Sequence, residues 1–265
     1  MILNSKIFGS GKKLIILHGM YGSSDSWTRI AKSFEHNYEV HLPDLRNHGD
    51  SFHHPVHSYY EMSEDLKRFM YHHKIPKAII CGHSMGGKTA MFFAANYPDL
   101  CEKLIIADIS PRDYRELNEY SHRINFHLNL ISLFKNLEPH NFSTYKDFAK
   151  HLPVKEEPFR SLILKNLRKT EGRLEWQLNV DAIFNNMDNI FEGLNPDEFI
   201  DTKISIPSLF IRGEKSDYID SNDEKLISFI FSDVQIKTIA NEGHWLHIEQ
   251  TEDLLRIMRN WLQDS

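Results

Sequence analysis

The chain has 265 residues, with 31 Lys and Arg against 37 Asp and Glu and a formal net charge of −6 at pH 7. This length suits one large domain or a core with an inserted subdomain, and the acidic balance argues against nucleic acid or an anionic membrane surface as the main partner. We find neither the apolar stretch of a signal peptide nor a membrane-spanning run, and two cysteines do not suggest a disulfide framework. We therefore expect a soluble, cytoplasmic protein.

Short apolar runs alternate with amphipathic stretches along most of the chain. In chain order, the pattern predicts a strand over 13–18, a helix over 25–36, a strand over 38–43, a helix over 59–73, a strand over 78–82, a helix over 85–97 and a strand over 104–108. It then predicts a strand over 208–212, a helix over 221–231, a strand over 234–240 and a helix over 251–261. Such alternation is typical of an α/β fold with a mostly parallel sheet flanked by helices.

The alternation is interrupted between about residues 110 and 197. This stretch has helical apolar spacing and several prolines, and we find no convincing strand pattern in it. Because strand-like segments resume at Ile206, we predict a helical lid over 111–196 that is inserted into a core formed by 1–110 and 197–265. We expect the aromatic residues of the lid to form its own core and, in part, pocket walls; these are Phe126, Phe134, Phe142, Phe159 and Trp176.

The segment Gly82-His83-Ser84-Met85-Gly86 fits the pattern G-x-S-x-G. In this pattern a serine nucleophile sits on a strained turn between a strand and a helix. Glycines two residues before and two residues after the serine leave room for the close approach of the backbone. The turn also directs the N-terminus of the next helix, with its unpaired N–H groups, at the reaction centre. The pattern therefore predicts that Ser84 is a nucleophile.

The same segment, continued to Thr89, also fits the phosphate-binding pattern G-x-x-x-x-G-K-[ST]. In this alternative Lys88 would contact a phosphate, and Asp108 at the end of an apolar run would hold Mg²⁺. Both patterns need a strand before the turn and a helix after it. The local context therefore does not separate them, and the rest of the chain must decide.

A serine hydroxyl needs a base, a group that orients the base, and donors for the oxyanion. We predict His244 as the base, because it lies between the last predicted strand and the last predicted helix, at the carboxyl edge of the sheet. Two acids compete for the orienting role. Asp108 ends the strand after the Ser84 helix, whereas Asp217 follows a later strand but lies one residue beyond the usual position. Either preserves the chain order Ser, acid, His; we favour Asp108 and keep Asp217 as the alternative.

The oxyanion hole is expected to combine two backbone N–H groups. Met85 directly follows the nucleophile, and Met20 lies in the glycine-containing loop after the first predicted strand. For contacts with substrate, the candidates are Phe126, Trp176 and Trp245. These predictions need no metal and no other cofactor.

Together these motifs resemble the α/β-hydrolase superfamily, and more narrowly the YbfF-type bacterial esterases and their eukaryotic relatives. The matching segments are 18–23, 44–49, 82–88, 107–111 and 243–245, which span nearly the whole chain. The resemblance implies the α/β-hydrolase fold and places the triad acid at Asp108. It also implies activity on short-chain acyl esters or thioesters, without metal or cofactor.

The sequence therefore predicts a serine esterase or thioesterase that works through an acyl-enzyme. Three alternatives stay open. One is hydrolysis or lysis of a carbon–carbon bond by the same triad, and another is a non-catalytic, ligand-binding member of the fold. The third, a P-loop NTPase, is disfavoured because it explains neither His18-Gly19 nor Gly243-His244-Trp245.

Overall fold

The computed structural model describes residues 1–115, 121–154, 157 and 159–263. The side chains of residues 121–123, 159 and 249 lie outside this description. Parts of the predicted lid (116–120, 155–156 and 158) therefore fall outside the described residues, as does the side chain of the predicted pocket wall Phe159.

In the described part of the chain, strands form one large sheet of seven and a separate antiparallel pair. The strands of the large sheet are β1 (Ser5–Phe8), β2 (Lys12–Leu17), β3 (Tyr38–Pro43), β4 (Ala78–His83), β5 (Cys101–Ala107), β8 (Ser208–Gly213) and β9 (Val234–Ile239). The separate pair is β6 (Leu167–Thr170) and β7 (Arg173–Trp176). The order in the large sheet is β1-β3-β2-β4-β5-β8-β9, and every neighbouring pair is parallel except β1 with β3.

The helices alternate with these strands and pack on both faces of the sheet. Those of the core are α1 (Thr28–Phe34), α2 (Tyr59–His72), α3 (Met85–Asn96), α9 (Ser221–Ile230), α10 (Leu246–Glu249) and α11 (Thr251–Gln263). Those between β5 and β8 are α4 (Ser121–Asn136), α5 (Tyr145–Lys150), α6 (Phe159–Lys165), α7 (Val180–Asn185) and α8 (Met187–Phe191).

The central strands are buried on both faces, which explains why they are continuous apolar runs. In β2, Ile15 and Leu17 contribute to the core on the side of α2 and α3, whereas Leu14 and Ile16 contribute to the core on the side of α1 and α11. Because successive side chains of a strand point to opposite faces, a strand covered on both sides must be apolar at every position.

The strand order reverses between β2 and β4. The chain leaves β2 for β3 on one side of it and then crosses to place β4 on the other side. In open α/β sheets, ligands bind in the crevice at such a switch point, outside the carboxyl ends of the strands. The loops after β2, β4, β5, β8 and β9 all lie at this edge, because these strands are parallel.

The predicted α/β architecture is confirmed, with differences at its margins. Strand β3 has the predicted bounds, whereas β5 begins three residues earlier than predicted. The predicted helix over 25–36 divides into a 3-10 turn at Ser24–Trp27 and helix α1. The edge strand β1 was not predicted at all.

The prediction that the stretch between 110 and 197 lacks strands is wrong. Strands β6 and β7 pair there in antiparallel fashion, joined by Glu171 and Gly172. Both residues have positive φ, 51° and 86°. Two consecutive residues with positive φ make the type I′ turn, whose twist matches that of a two-stranded hairpin.

Residues 111–196, called the insert below, leave the sheet after β5 and return before β8. The two ends of the insert cross closely: the N–H of Leu194 donates to the carbonyl of Pro111 (2.8 Å), and the N–H of Tyr114 donates to the carbonyl of Phe191 (2.9 Å). None of the helices in the described residues is long and apolar enough to span a membrane.

Candidate active site

Ser84 sits on a sharp turn between β4 and α3. Its φ is 53°, in the left-handed region that non-glycine residues rarely adopt, and its N–H donates to the carbonyl of Ala107 (3.1 Å). The flanking glycines are sterically required. A Cβ at Gly82 would lie 2.2 Å from the carbonyl oxygen of Gly86, and a Cβ at Gly86 would lie 2.4 Å from the carbonyl oxygen of Leu17. The turn therefore has the geometry that the G-x-S-x-G pattern predicts.

His244 and Asp108 are hydrogen-bonded to each other. The distance from His244 Nδ1 to Asp108 Oδ2 is 2.7 Å; the carboxylate is fully buried, and the imidazole is 17% exposed. Since an ionised carboxylate only accepts hydrogen bonds, Nδ1 carries the proton and Nε2 is the free basic nitrogen. This is the tautomer that a general base for a serine hydroxyl needs.

The carboxylate of Asp108 is held from three directions. Oδ1 accepts from the N–H of Gly213 (3.0 Å), and Oδ2 accepts from the hydroxyl of Ser216 as well as from His244. A charged group without access to water must be compensated by such donors. The φ of Asp108 is 50°, a second strained residue at this edge of the sheet.

The other predicted acid, Asp217, is an exposed residue on the loop after β8. In this structure Nδ1 of His244 lies 2.7 Å from Oδ2 of Asp108, and the single N–H at this nitrogen is used by that bond. Ser216, which occupies the usual position of the acid on this loop, instead donates to Asp108. The geometry thus brings Asp108, and not Asp217, onto Nδ1 of His244.

Three further side chains surround His244. The ring of Tyr218 stacks on the imidazole of His244, with 4.0 Å between ring centroids and 24° between planes. The hydroxyl of Tyr218 lies 3.0 Å from Nε2 of His127, which belongs to α4 of the insert. His83 Nε2 donates to the carbonyl of His244 (2.9 Å). Burial lowers the pKa of His83 and of His127 to about 3, so both are neutral partners at neutral pH.

Both predicted oxyanion donors lie beside Ser84. Met85 is the first residue of α3, so its N–H has no acceptor within the helix. Met20 lies in a four-residue turn that is closed by a hydrogen bond from the N–H of Gly22 to the carbonyl of Gly19 (3.0 Å). A Cβ at Gly19 would lie 3.3 Å from Cβ of Ser84, which shows how closely this turn approaches the nucleophile.

A cavity of about 520 Å³ opens above Ser84 and His244. Its lining is mostly apolar and includes two of the predicted substrate contacts, Phe126 and Trp245. A third candidate, Trp176, does not line it in the described structure. Its ring packs within the insert, 4.9 Å from the ring of Phe134 and 6.0 Å from that of Phe148. Trp176 instead lines a separate pocket that is formed by insert residues alone.

Lys88 points away from the cavity. Its side chain is buried, and Nζ donates to the carbonyls of Arg112 (2.7 Å) and Glu192 at the crossing ends of the insert. Nζ also lies 4.4 Å from the ring centroid of Tyr114, and burial lowers its pKa to about 7. A P-loop lysine would extend toward a phosphate in front of the turn. The geometry of Lys88 therefore contradicts the P-loop alternative.

Sequence reasoning missed several side chains that touch the site. Ser216 carried a signal, since it stands where the acid of such enzymes usually lies. Tyr218, His83 and His127 carried none, because a ring stacked on a base or bonded to its carbonyl depends on tertiary packing. Among the described residues, no group of three or more His, Cys, Asp or Glu side chains is arranged to hold a metal ion.

Comparison with known proteins agrees with this geometry. The family model for the alpha/beta hydrolase fold matches residues 12–251. A marine microorganism esterase of known structure superposes with a TM-score of 0.92 and 39% sequence identity, over 98% of each chain. An sn-1-specific diacylglycerol lipase of Danio rerio is 34% identical over 96% of this chain and 80% of its own length. The esterase YbfF of Escherichia coli is 29% identical over 95% of this chain and 93% of its own.

The chain therefore belongs to the α/β-hydrolase family. This membership confirms the fold and the resemblance inferred from the sequence motifs. It also agrees with the interpretation of the turn at Ser84 as the site of a serine nucleophile, and not as a nucleotide-binding motif.

Proposed function

We propose that the protein is a serine hydrolase that cleaves acyl esters, with Ser84 as nucleophile, His244 as general base and Asp108 as the orienting acid. The observation that carries the proposal is the 2.7 Å hydrogen bond from His244 Nδ1 to the buried Asp108, at the same sheet edge and beneath the same cavity as the strained Ser84. The esterase and lipase names of the similar proteins support the same reaction.

Acylation begins when the Ser84 hydroxyl attacks the acyl carbonyl carbon while Nε2 of His244 takes the hydroxyl proton. The resulting oxyanion accepts hydrogen bonds from the N–H groups of Met20 and Met85. The imidazolium is stabilised by Asp108 and returns its proton to the leaving alcohol or thiol as the carbon–oxygen or carbon–sulfur bond breaks. The acyl group then remains on Ser84 Oγ.

Deacylation repeats these steps with water. His244 removes a proton from a water molecule, which attacks the acyl carbonyl, and the same N–H groups stabilise the second oxyanion. The proton then passes to Ser84 Oγ, the bond from Oγ to the acyl carbon breaks, and the free acid leaves. No step needs a metal or an organic cofactor.

The insert is the lid of this site, and the division into a core of 1–110 and 197–265 with a lid over 111–196 is part of the proposal. Its support is that Phe126, His127 and Leu162 of the insert line the cavity opposite Ser84. A mostly apolar cavity of about 520 Å³ favours uncharged acyl chains. The substrate class is thus small-molecule acyl esters or thioesters.

The test is hydrolysis of p-nitrophenyl esters from acetate to decanoate by the wild type and by Ser84→Ala, with a fluorophosphonate probe in parallel. We expect the substitution to lower the rate by about 10⁴-fold or more and to abolish labelling. Ser23→Ala removes a second serine that lines the cavity and should retain labelling. Near-complete activity of Ser84→Ala would refute the proposal. Labelling of the wild type without ester turnover would point instead to another reaction of the same triad.

A further inference from the structure

The turn that carries Met20 is conformationally strained. Its four residues run from Gly19 to Gly22, and the third, Tyr21, has a φ of 63°. A turn with positive φ only at its third position is of type II, in which this position is normally glycine. A tyrosine keeps this conformation only when the surrounding structure over-determines it.

The contacts that hold Tyr21 come from the insert. Asn166 Nδ2 donates to the backbone carbonyl of Tyr21 (2.7 Å). The Tyr21 ring stacks on Phe134 with 5.4 Å between centroids and 10° between planes, and its hydroxyl donates to the carbonyl of His127 (3.3 Å). Tyr21 is only 3% exposed. The backbone, ring and hydroxyl of one core residue are therefore all fixed by the segment above it.

The position and hydrogen bonds of Asn166 fit this contact with Tyr21. It lies between α6 and β6, is 4% exposed, and its Nδ2 also donates to the carbonyl of Leu162 in the last turn of α6 (2.9 Å). Both partners are carbonyls, which only accept, so the amide must present its NH₂ group to them. One end of this short bridge is anchored on an insert helix. The other end holds the carbonyl of Tyr21, the residue that directly follows Met20 in the turn.

We propose that Asn166 is a positioning residue for the oxyanion hole: by holding the carbonyl of Tyr21, it keeps the strained turn in the form that directs the N–H of Met20 at the oxyanion. The inference rests on the proposed function. It implies that the insert completes the oxyanion hole and does not only cover the substrate. If the insert moved away, the turn would relax and the chemistry would slow, even with the substrate and Ser84 in place.

The test separates transition-state stabilisation from substrate binding. Asn166→Leu removes the amide at similar volume, and Asn166→Asp places a carboxylate against two carbonyls. For both, kcat on p-nitrophenyl butyrate should fall by about 10- to 100-fold, because small misplacements of catalytic groups cost this much, while KM changes by less than about threefold. Affinity for a trifluoromethyl ketone, whose adduct with serine carries an oxyanion, should fall in parallel with kcat. Affinity for the matching methyl ketone should not.

Asn179→Leu is the matched control. Asn179 Nδ2 also donates a hydrogen bond from the insert to a core loop, here to the side-chain oxygen Asn47 Oδ1 (3.1 Å) and away from the turn. We expect this variant to keep wild-type kcat and wild-type affinity for the trifluoromethyl ketone. If both Asn166 variants fail to fold, Tyr21→Phe tests the same turn through the lost bond to His127 and should show the same pattern at a smaller amplitude, about threefold.

Two results would overturn the inference. One is wild-type kcat and trifluoromethyl ketone affinity in the folded Asn166 variants or, failing those, in Tyr21→Phe. The other is a rise in KM with a lower Tm but unchanged affinity for the trifluoromethyl ketone, which would make Asn166 a packing residue of the insert. Ser84→Ala keeps the two proposals apart. If Ser84→Ala loses turnover while the Asn166 variants keep wild-type kinetics, only the inference about Asn166 is refuted. If Ser84→Ala retains turnover, the proposed function is refuted as well.

Discussion

The loops at the carboxyl edge of the sheet and the insert above them line the same cavity, but they are built in different ways. The loops carry the strained residues Ser84, Asp108 and Tyr21, and their positions follow from the register of parallel strands. The side chains of the insert take their positions from packing with other elements, such as the stacking of Phe134 on Tyr21. Backbone register fixes the loops, whereas side-chain contacts between distant elements fix the insert.

This difference assigns different work to the two regions. A rigid sheet edge can hold a nucleophile, a base and an acid in one relative geometry, which is what bond cleavage needs. An insert held by side-chain packing can vary its cavity walls without disturbing that geometry. Substitutions in the loops should therefore affect mainly kcat, and substitutions in the insert walls should affect mainly substrate choice. Asn166 and its contact with the turn are the proposed exception.

The largest effect is expected from the orienting acid. Asp108→Asn should lower kcat by about 10⁴-fold, because an amide cannot stabilise the imidazolium and favours the wrong tautomer of His244. Asp217→Asn is the control of matched chemistry, and we expect its kcat to stay within about threefold of the wild type. Steady-state kinetics on one ester measures both. A large loss in Asp217→Asn with activity retained in Asp108→Asn would instead make Asp217 the acid.

The second prediction concerns the pH dependence of stability, to which buried and exposed histidines should contribute differently. Burial lowers the pKa of His57, His83 and His127 to about 3, against about 6.5 in the unfolded chain. Burial also lowers the pKa of His48 and of His247 well below the ordinary value. As the pH falls from 6.5 toward 3, these five side chains therefore take up protons in the unfolded state but not in the folded state, and stability falls. Each such proton contributes about 1.4 kcal/mol per pH unit to this slope.

Urea unfolding between pH 5 and 6, followed by circular dichroism, measures this slope. His57→Asn should reduce the slope by about 1.4 kcal/mol per pH unit, since one proton is then lost from the difference between the unfolded and folded states. Substitution of the exposed insert histidines His140 and His151 by Asn should leave the slope unchanged. A flat profile in the wild type would mean that the buried rings are protonated in the folded protein.

The contrast between the sheet-edge loops and the insert also explains how much could be predicted from the sequence. Strand β3 has its predicted bounds, and Ser84, Asp108 and His244 lie at one sheet edge, because apolar runs and turn glycines are local signals. A predicted parallel sheet brings the residues at its strand ends together without further information. The role of each residue in the reaction stays a prediction until the variants are measured.

What could not be predicted depends on tertiary contacts. Strand β6 is apolar only at Leu167, and its other three residues are exposed, so no alternation marks it. Glu171-Gly172 is a weak hairpin signal that becomes informative only when flanked by clear strands. The stacking of Tyr218 on His244 joins loops from two different strands, and no local pattern encodes it. The insert is thus the region where the sequence was least informative.

The smallest effects are expected from the walls of the cavity. They test directly whether the insert controls substrate choice while the sheet-edge loops control kcat. Phe126 lines the cavity at 37% exposure, whereas Trp176 packs among insert aromatics. Phe126→Ala should raise KM for long-chain p-nitrophenyl esters by a few-fold to about tenfold, with kcat on the acetate ester unchanged. Trp176→Ala should leave the chain-length profile as it is and lower the free energy of unfolding by about 2 kcal/mol, because it leaves a gap beside Phe134 and Phe148. If instead Trp176→Ala shifted the chain-length profile while Phe126→Ala did not, the substrate would extend into the packed interior of the insert, and the cavity above Ser84 would not define the acyl site.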